Sequence, residues 1–223
     1  MADLRLYEEI TLLALNDRTG RLRGDHPRHR IAGAILTGLM IRHTVSIDRE
    51  EKTIKAGDAS TLDDAILRKA HDVISGSEGG QISIADFIGH LAAENTVIDE
   101  IAEGLCDKGI LRTETSKVLW FFETTSYPEV DPTAEDAIKQ RMKDVISGAI
   151  KGDERTYALI ALAGTYGLLN LNLGNEFVKA HKERIDAIVS GDIVADATKD
   201  LIDAIDAMII MSAVIPAVII TAY

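Results

Sequence analysis

Cysteine occurs once in the 223 residues, tryptophan once and proline four times, and aromatic residues make up only 4% of a chain that is 46% apolar. The single thiol, Cys106, excludes an intramolecular disulfide and a cysteine-based zinc cage, and its place on the inner face of an amphipathic stretch reads as core filler. Few prolines and few aromatics, with Ala, Ile and Leu dominant, disfavour a sheet-rich fold and predict helices packed on helices. Positive charge is also scarce: 24 Lys and Arg face 36 Asp and Glu, for a net −12, which argues against a general nucleic-acid binder. No Pro/Gly/Ser-rich linker interrupts the sequence, so residues 1–223 read as one domain. The start, MADLRLYEEI, is acidic where a secretory signal needs a basic start and an apolar middle, which predicts a cytoplasmic protein.

Other absences concern chemistry. Gly76-Ser77-Glu78-Gly79-Gly80 lacks the lysine and spacing of a phosphate-binding loop. Of six histidines only His26 and His29 are close, three apart in a loop without a neighbouring carboxylate, so no metal site is expected. No nucleophile, base and acid stand in a recognisable arrangement. The expectation is a non-enzymatic protein without a cofactor.

Apolar residues at helical spacing predict a first helix from Leu4 to Asn16 and a second from Ile31 to His43, with Pro27 blocking helix formation until Ile31. The alternating Thr44 to Ile47 and the returning Thr53 to Lys55 predict a small hairpin. Capping-box patterns at Ser60/Asp63, Ser83/Asp86, Thr96/Asp99 and Thr133/Asp136 open helices at about 62–75, 83–92, 96–108 and 134–151. Further helices are expected over Glu154 to Asn170 and Asn175 to Ser190. From about Ile193 the last helix becomes uncharged over Ala207 to Tyr223, 17 residues containing Pro216. That is short against the roughly 20 a membrane span needs, and the stretch reads as the buried centre of a helical domain.

Two stretches stand apart from this core pattern. From Asp17 to Arg30 the sequence DRTGRLRGDHPRHR carries five arginines against two aspartates, a local +3 on a body whose other charges sum to −15. Arg21, Arg23, Arg28 and Arg30 form a candidate anion site, since guanidinium groups pair bidentately with phosphate and stay charged; the alternative is a solvated loop pairing with acidic neighbours. The second stretch predicts strands at Ile110 to Arg112 and Lys117 to Glu123, the latter holding Val118-Leu119-Trp120-Phe121-Phe122. Strand periodicity puts apolar side chains on both of its faces, and the outer one needs a partner helix, another subunit or lipid.

The ordered series LYEEITLLALNDRTGRL, GAILTGLMIR, LDDAILRKA, LCDKGIL, the aromatic hairpin, IKQRM and ERTYALIALA resembles the Golgi phosphoprotein 3 (Vps74-like) family, from about Leu4 to Leu169 and more loosely beyond. The resemblance implies a mainly helical domain with a buried C-terminal helix. It also implies a peripheral membrane protein, since eukaryotic members bind phosphatidylinositol 4-phosphate and retain glycosyltransferases. In them a basic pocket takes the headgroup, and the apolar hairpin beside it enters the bilayer or pairs subunits. The chain begins at the domain itself, as expected of a prokaryotic-type member. The family's headgroup residues, a tryptophan and an arginine in the loop and two arginines on the helix before the hairpin, fall here at Gly24 or Asp25, Ala32, Asn95 and Ile98. None keeps that chemistry, so any headgroup contact passes to Arg21, Arg23, Arg28 and Arg30.

The expected function is therefore reversible attachment to an anionic phospholipid surface, with those arginines supplying charge and Leu119, Trp120, Phe121 and Phe122 the apolar anchor. An oligomeric scaffold or adaptor that binds protein tails is the alternative, with the same hairpin as a subunit contact. A winged-helix regulator is the weaker rival, because the helix before the hairpin carries Asp99, Glu100, Glu103 and Asp107 where DNA binding needs basic residues.

Overall fold

The computed structural model describes residues 3–118, 122–164 and 167–214. Helices dominate, as the composition predicts, and one continuous apolar core runs from Leu4 to Met208. Helix α1 (Leu6–Ala14) lies at its centre with every residue buried, Glu8 and Glu9 included. Buried carboxylates persist only when paired. Lys108 Nζ reaches both oxygens of Glu8 at 2.6 and 2.7 Å. Arg141 and Arg155 reach Glu9 Oε1 at 2.8 and 3.0 Å. These pairs tie α1 to the rest of the chain.

Helix α2 (Pro27–Ile41) packs along α1. It begins at Pro27, not at Ile31 as expected: proline at the first helical position loses no hydrogen bond, because that N–H has no helical partner anyway. The expected small hairpin is present as β1 (Val45–Asp48) and β2 (Thr53–Ala56), and a third strand, β3 (Gln81–Ser83), adds to it in the order β1-β2-β3, all antiparallel. Between β2 and β3 lies α3 (Ala65–Ser75). Its cap is Asp64, which accepts from the Leu67 amide at 3.0 Å, so the helix starts a few residues after the Ser60 box.

Helix α4 (Ile84–Ala93) has the Ser83 cap its sequence predicts, but the Asp86 carboxylate meets the Ser83 hydroxyl where a capping box has the acid on the backbone amide. Ser83 accepts from the Asp86 amide at 3.0 Å and donates to the Asp86 carboxylate at 2.7 Å. Helix α5 (Asn95–Asp107) then leads to the second hairpin, β4 (Glu114–Val118) and β5 (Phe122–Ser126), in which Val118 pairs with Phe122. The segment Lys117 to Glu123 is thus divided between two strands and is not one strand. Ile110 and Leu111 are core residues, with Leu111 bridging to Glu129. Leu119, Trp120 and Phe121 lie outside the described residues, as do the side chains of Val118 and Phe122.

After α6 (Thr133–Ser147) comes α7 (Glu154–Gly164). The single helices expected over 154–170 and 175–190 are each broken, giving α8 (Leu168–Leu173), α9 (Asn175–Ala180) and α10 (Lys182–Val189). Gly167, with φ +77°, turns the chain into α8, and His181 interrupts the second pair. Helix α11 (Asp196–Val214) buries Leu201, Ile202, Ala204, Ile205 and Met208 against α2, α4 and α7. Residues 215–223 lie outside the described residues, and among the described ones no helix is long and apolar enough to cross a membrane.

Candidate functional site

The basic loop leaves α1 through a tight turn. The Asn16 amide donates to Arg21 O at 2.9 Å and the Gly20 amide to Asn16 O at 2.7 Å, while Asn16 Oδ1 accepts from the Thr19 amide at 2.9 Å. The Arg23 amide then donates to Ala14 O at 2.7 Å, which returns the chain towards α2. The exit of the second hairpin crosses this loop. The Tyr127 amide donates to Gly20 O at 3.0 Å and the Glu129 amide to Asp17 O at 2.9 Å. Two stretches a hundred residues apart in sequence are thereby hydrogen-bonded side by side.

Along this seam an open cleft of about 470 Å³ is lined by Arg21 and Leu22 from the loop, His26, Arg28 and His29 at the start of α2, Ile98 and Asp99 from α5, and Thr125 and Tyr127 from the hairpin. Arg21 is exposed and Arg28 half-buried. On the opposite wall the Tyr127 hydroxyl donates to Asp99 at 3.0 Å. Burial, and then this bond to Asp99, push the Tyr127 phenol well above its ordinary range, so it remains a donor. His26 and His29 meet edge to face with ring centroids 5.5 Å apart. Burial, and secondarily His26, lower the pKa of His29, so His29 is neutral at neutral pH. The cleft at that pH presents two guanidinium groups against one carboxylate, with the His29 imidazole adding charge in acid.

The other two candidate arginines, Arg23 and Arg30, do not line the cleft. Arg23 turns inward, 3.4 Å from Asp17, 3.9 Å from Glu135 and 3.2 Å from Asn172 Oδ1. Asn172 is fixed for that contact because its amide nitrogen donates to Leu13 O and Leu168 O at 2.9 and 3.0 Å. Arg30 is buried in the second turn of α2, 4% exposed. Of the positions where the family's headgroup residues fall, Ile98 lines the cleft, Ala32 is core, and Gly24 and Asn95 are exposed.

The hairpin itself is polar where it leaves the body. Glu114, Thr115, Ser116 and Thr125 are exposed, and Ser116 and Thr124 hydrogen-bond across the strands at 2.9 Å. Among its described residues the apolar Val118 and Phe122 pair at the end of the ladder opposite Glu114 and Ser126, and Leu119, Trp120 and Phe121 lie outside the described residues.

Sequence alone gave no signal for the cleft's Asp99–Tyr127 wall, since Asp99 reads as a helix cap, nor for the acidic group behind the loop. There one carboxylate oxygen each from Asp17, Glu129 and Glu135 lie within 4.8 Å of one another. Arg23 and Lys139, the latter 2.7 Å from Glu135, supply the counter-charge. The three carboxylates and the two cations form one ion-pair network.

The sequence model of the family described as Golgi phosphoprotein 3 (GPP34) matches residues 6–205. Among curated proteins, the vacuolar protein sorting-associated protein 74 of Eremothecium gossypii is 28% identical over 165 residues, 64% of this chain and 49% of that protein. Its namesake in Schizosaccharomyces pombe is 27% identical over 169 residues, 66% of this chain and 49% of that protein. The chain spans about half the length of these relatives. With a match that runs from the first helix into the last and takes in loop, cleft and hairpin alike, the chain belongs to the Golgi phosphoprotein 3 family.

Proposed function

We propose that this protein attaches reversibly to membranes that display anionic phospholipids. Arg21 and Arg28 take the headgroup phosphate in the cleft, Arg23 and Arg30 shape the loop behind it, and Leu119 to Phe122 enter the bilayer. The observation that carries this function is the shared cleft: the cationic loop and the root of the hairpin with the apolar end form two walls of one opening. Charge and apolar insertion together are what stable peripheral attachment takes. The wall of Thr125, Tyr127 and Asp99, two hydroxyls and a carboxylate acceptor, suits a headgroup with hydroxyls of its own, as phosphatidylinositol lipids have.

Co-sedimentation with vesicles is the test. Binding to anionic but not neutral vesicles, lost in Trp120→Ala/Phe122→Ala, supports the proposal; no binding at any composition at low salt removes it. If the double variant dissolves an oligomer and leaves vesicle binding intact, the hairpin joins subunits.

An adaptor for protein tails is the second function, favoured by a groove on another face. The groove is lined by Asp48, Glu50, Glu154 and Asp200 and by the apolar Met40, Ile47, Leu201 and Ala204, with His43 and Arg49; Arg49 pairs with Asp200 at 3.0 Å, which leaves acids in excess. Such a groove suits a basic segment with an apolar anchor. Fluorescence anisotropy with a Lys/Arg-rich peptide, weakened by Glu50→Lys/Glu154→Lys, would favour it, and unchanged anisotropy would dismiss it.

A further inference from the structure

The acidic group behind the loop joins three parts of the chain at the seam. Asp17 belongs to the basic loop, Glu129 to the segment leaving the hairpin, and Glu135 to the first turn of α6. Glu135 is 2% exposed, and Glu129 Oε1 is a buried oxygen without a hydrogen-bond partner among the described residues. The charged groups facing them are Arg23 from the loop and Lys139 from α6; α8 contributes only the neutral Asn172, spent on Arg23. With every carboxyl ionised, three negative charges face two positive ones in a space that is buried at Glu135, half-buried at Glu129 and open at Asp17. Two carboxylates that share such a site do not both ionise freely, and one proton between them supplies the missing donor.

We propose that a proton shared by Glu129 and Glu135 latches the hairpin exit onto α6 beside the basic loop, and that losing it loosens this seam. Glu129 sits where the latch needs it, because its own amide donates to Asp17 O and the Tyr127 amide, two residues earlier, donates to Gly20 O. Ionised, the Glu129 carboxylate is repelled by both Glu135 and Asp17, and drawing segment 127–130 away from the loop relieves that repulsion. Burial, then Glu135 and Asp17, raise its pKa to about 7 against the opposing pull of Lys139. The seam is therefore closed on the acid side of neutrality and looser on the alkaline side. Because the cleft lies along it, the latch sets whether loop and hairpin act as one surface; its existence does not depend on what the cleft binds.

Hydrogen exchange of the whole chain, followed by mass spectrometry from about pH 5.5 to about pH 8.5 and corrected for intrinsic rates, reads the latch directly. Protection of the Tyr127 and Glu129 amides in the native protein is expected to fall at least about tenfold across neutrality. In Glu129→Gln, whose amide donates at every pH, protection stays at the acid-side level throughout; Glu135→Gln also abolishes the transition. The His26→Asn/His29→Asn variant retains it. Flat protection in the native protein overturns the proposal. So does a transition that survives in Glu129→Gln, or one that vanishes with the two histidines.

Discussion

The carbonyl of Gly20 accepts a 3.0 Å hydrogen bond from the amide of Tyr127, and the two backbones pass so closely that a Cβ on residue 20 would stand 2.2 Å from the Tyr127 nitrogen. Gly20 also holds φ at +61°, a conformation that side chains with a Cβ resist. Gly20→Ala must both strain the loop and push the hairpin away. The expected loss is about 2–4 kcal/mol in urea unfolding. Gly24→Ala also has positive φ, but its added Cβ would meet only ordinary contacts at 3.5 Å, and it should lose about 1–2 kcal/mol. Equal losses at the two positions would mean that the crossing is not held tightly.

Glu9 is the second position where one side chain holds several elements. Its carboxylate is 3% exposed and joins Arg141 of α6 and Arg155 of α7 to α1. Removing it leaves two guanidinium groups without their shared partner, although each is about one third exposed and can turn to water. Glu9→Ala is expected to cost about 2–3 kcal/mol, at the lower end for a broken buried pair. A thermal melt unchanged from the native protein would contradict this.

Glu129 gives a stability effect with a definite sign. Its carboxyl titrates at 4.5 unfolded and near 7 folded, so the folded state holds the proton more tightly. The contribution is complete below the unfolded value and is lost as pH rises towards the folded one. Melting temperature should therefore decline from pH 4.5 to about 7 by a component that Glu129→Gln removes. Parallel pH profiles for the two proteins would show that no such proton is held.

What the sequence discloses and what it conceals divide on physical grounds. Apolar periodicity made the core helices legible, and Ser83 marked a cap that forms on the Asp86 amide as expected, because these signals lie within a few residues of one another. Pro27 was ambiguous: the same residue that blocks a helix interior opens a helix at its first position. β3 is three residues long, too short to show an alternation, and is made a strand by pairing with β2. The basic loop was visible as charge, but the directions of its arginines were not. Arg23 turns inward because Asn172, 149 residues away, and Glu135 await it there, and no local pattern reports such a partner. Asp99, Glu129 and Glu135 escaped for the same reason.

Binding to anionic vesicles tests the cleft residue by residue. Near a charged bilayer each arginine contributes about 1 kcal/mol, so Arg21→Gln/Arg28→Gln should weaken partitioning roughly 30-fold at low salt. Trp120 and Phe122 would contribute about 1.5–3 kcal/mol each on full insertion, and losing both should abolish binding within the measurable range. His29 adds a pH dependence whose direction follows from its lowered pKa. Because His29 titrates below its ordinary 6.5, the cleft gains charge only in acid, and affinity should rise as pH falls past that value. His26→Asn/His29→Asn should remove the acid rise while leaving the neutral-pH affinity in place. Arg18 belongs to the same loop but does not line the cleft. If Arg18→Gln weakens binding as much as Arg21→Gln does, the attraction is diffuse and the headgroup is not seated between Arg21, Arg28 and Tyr127.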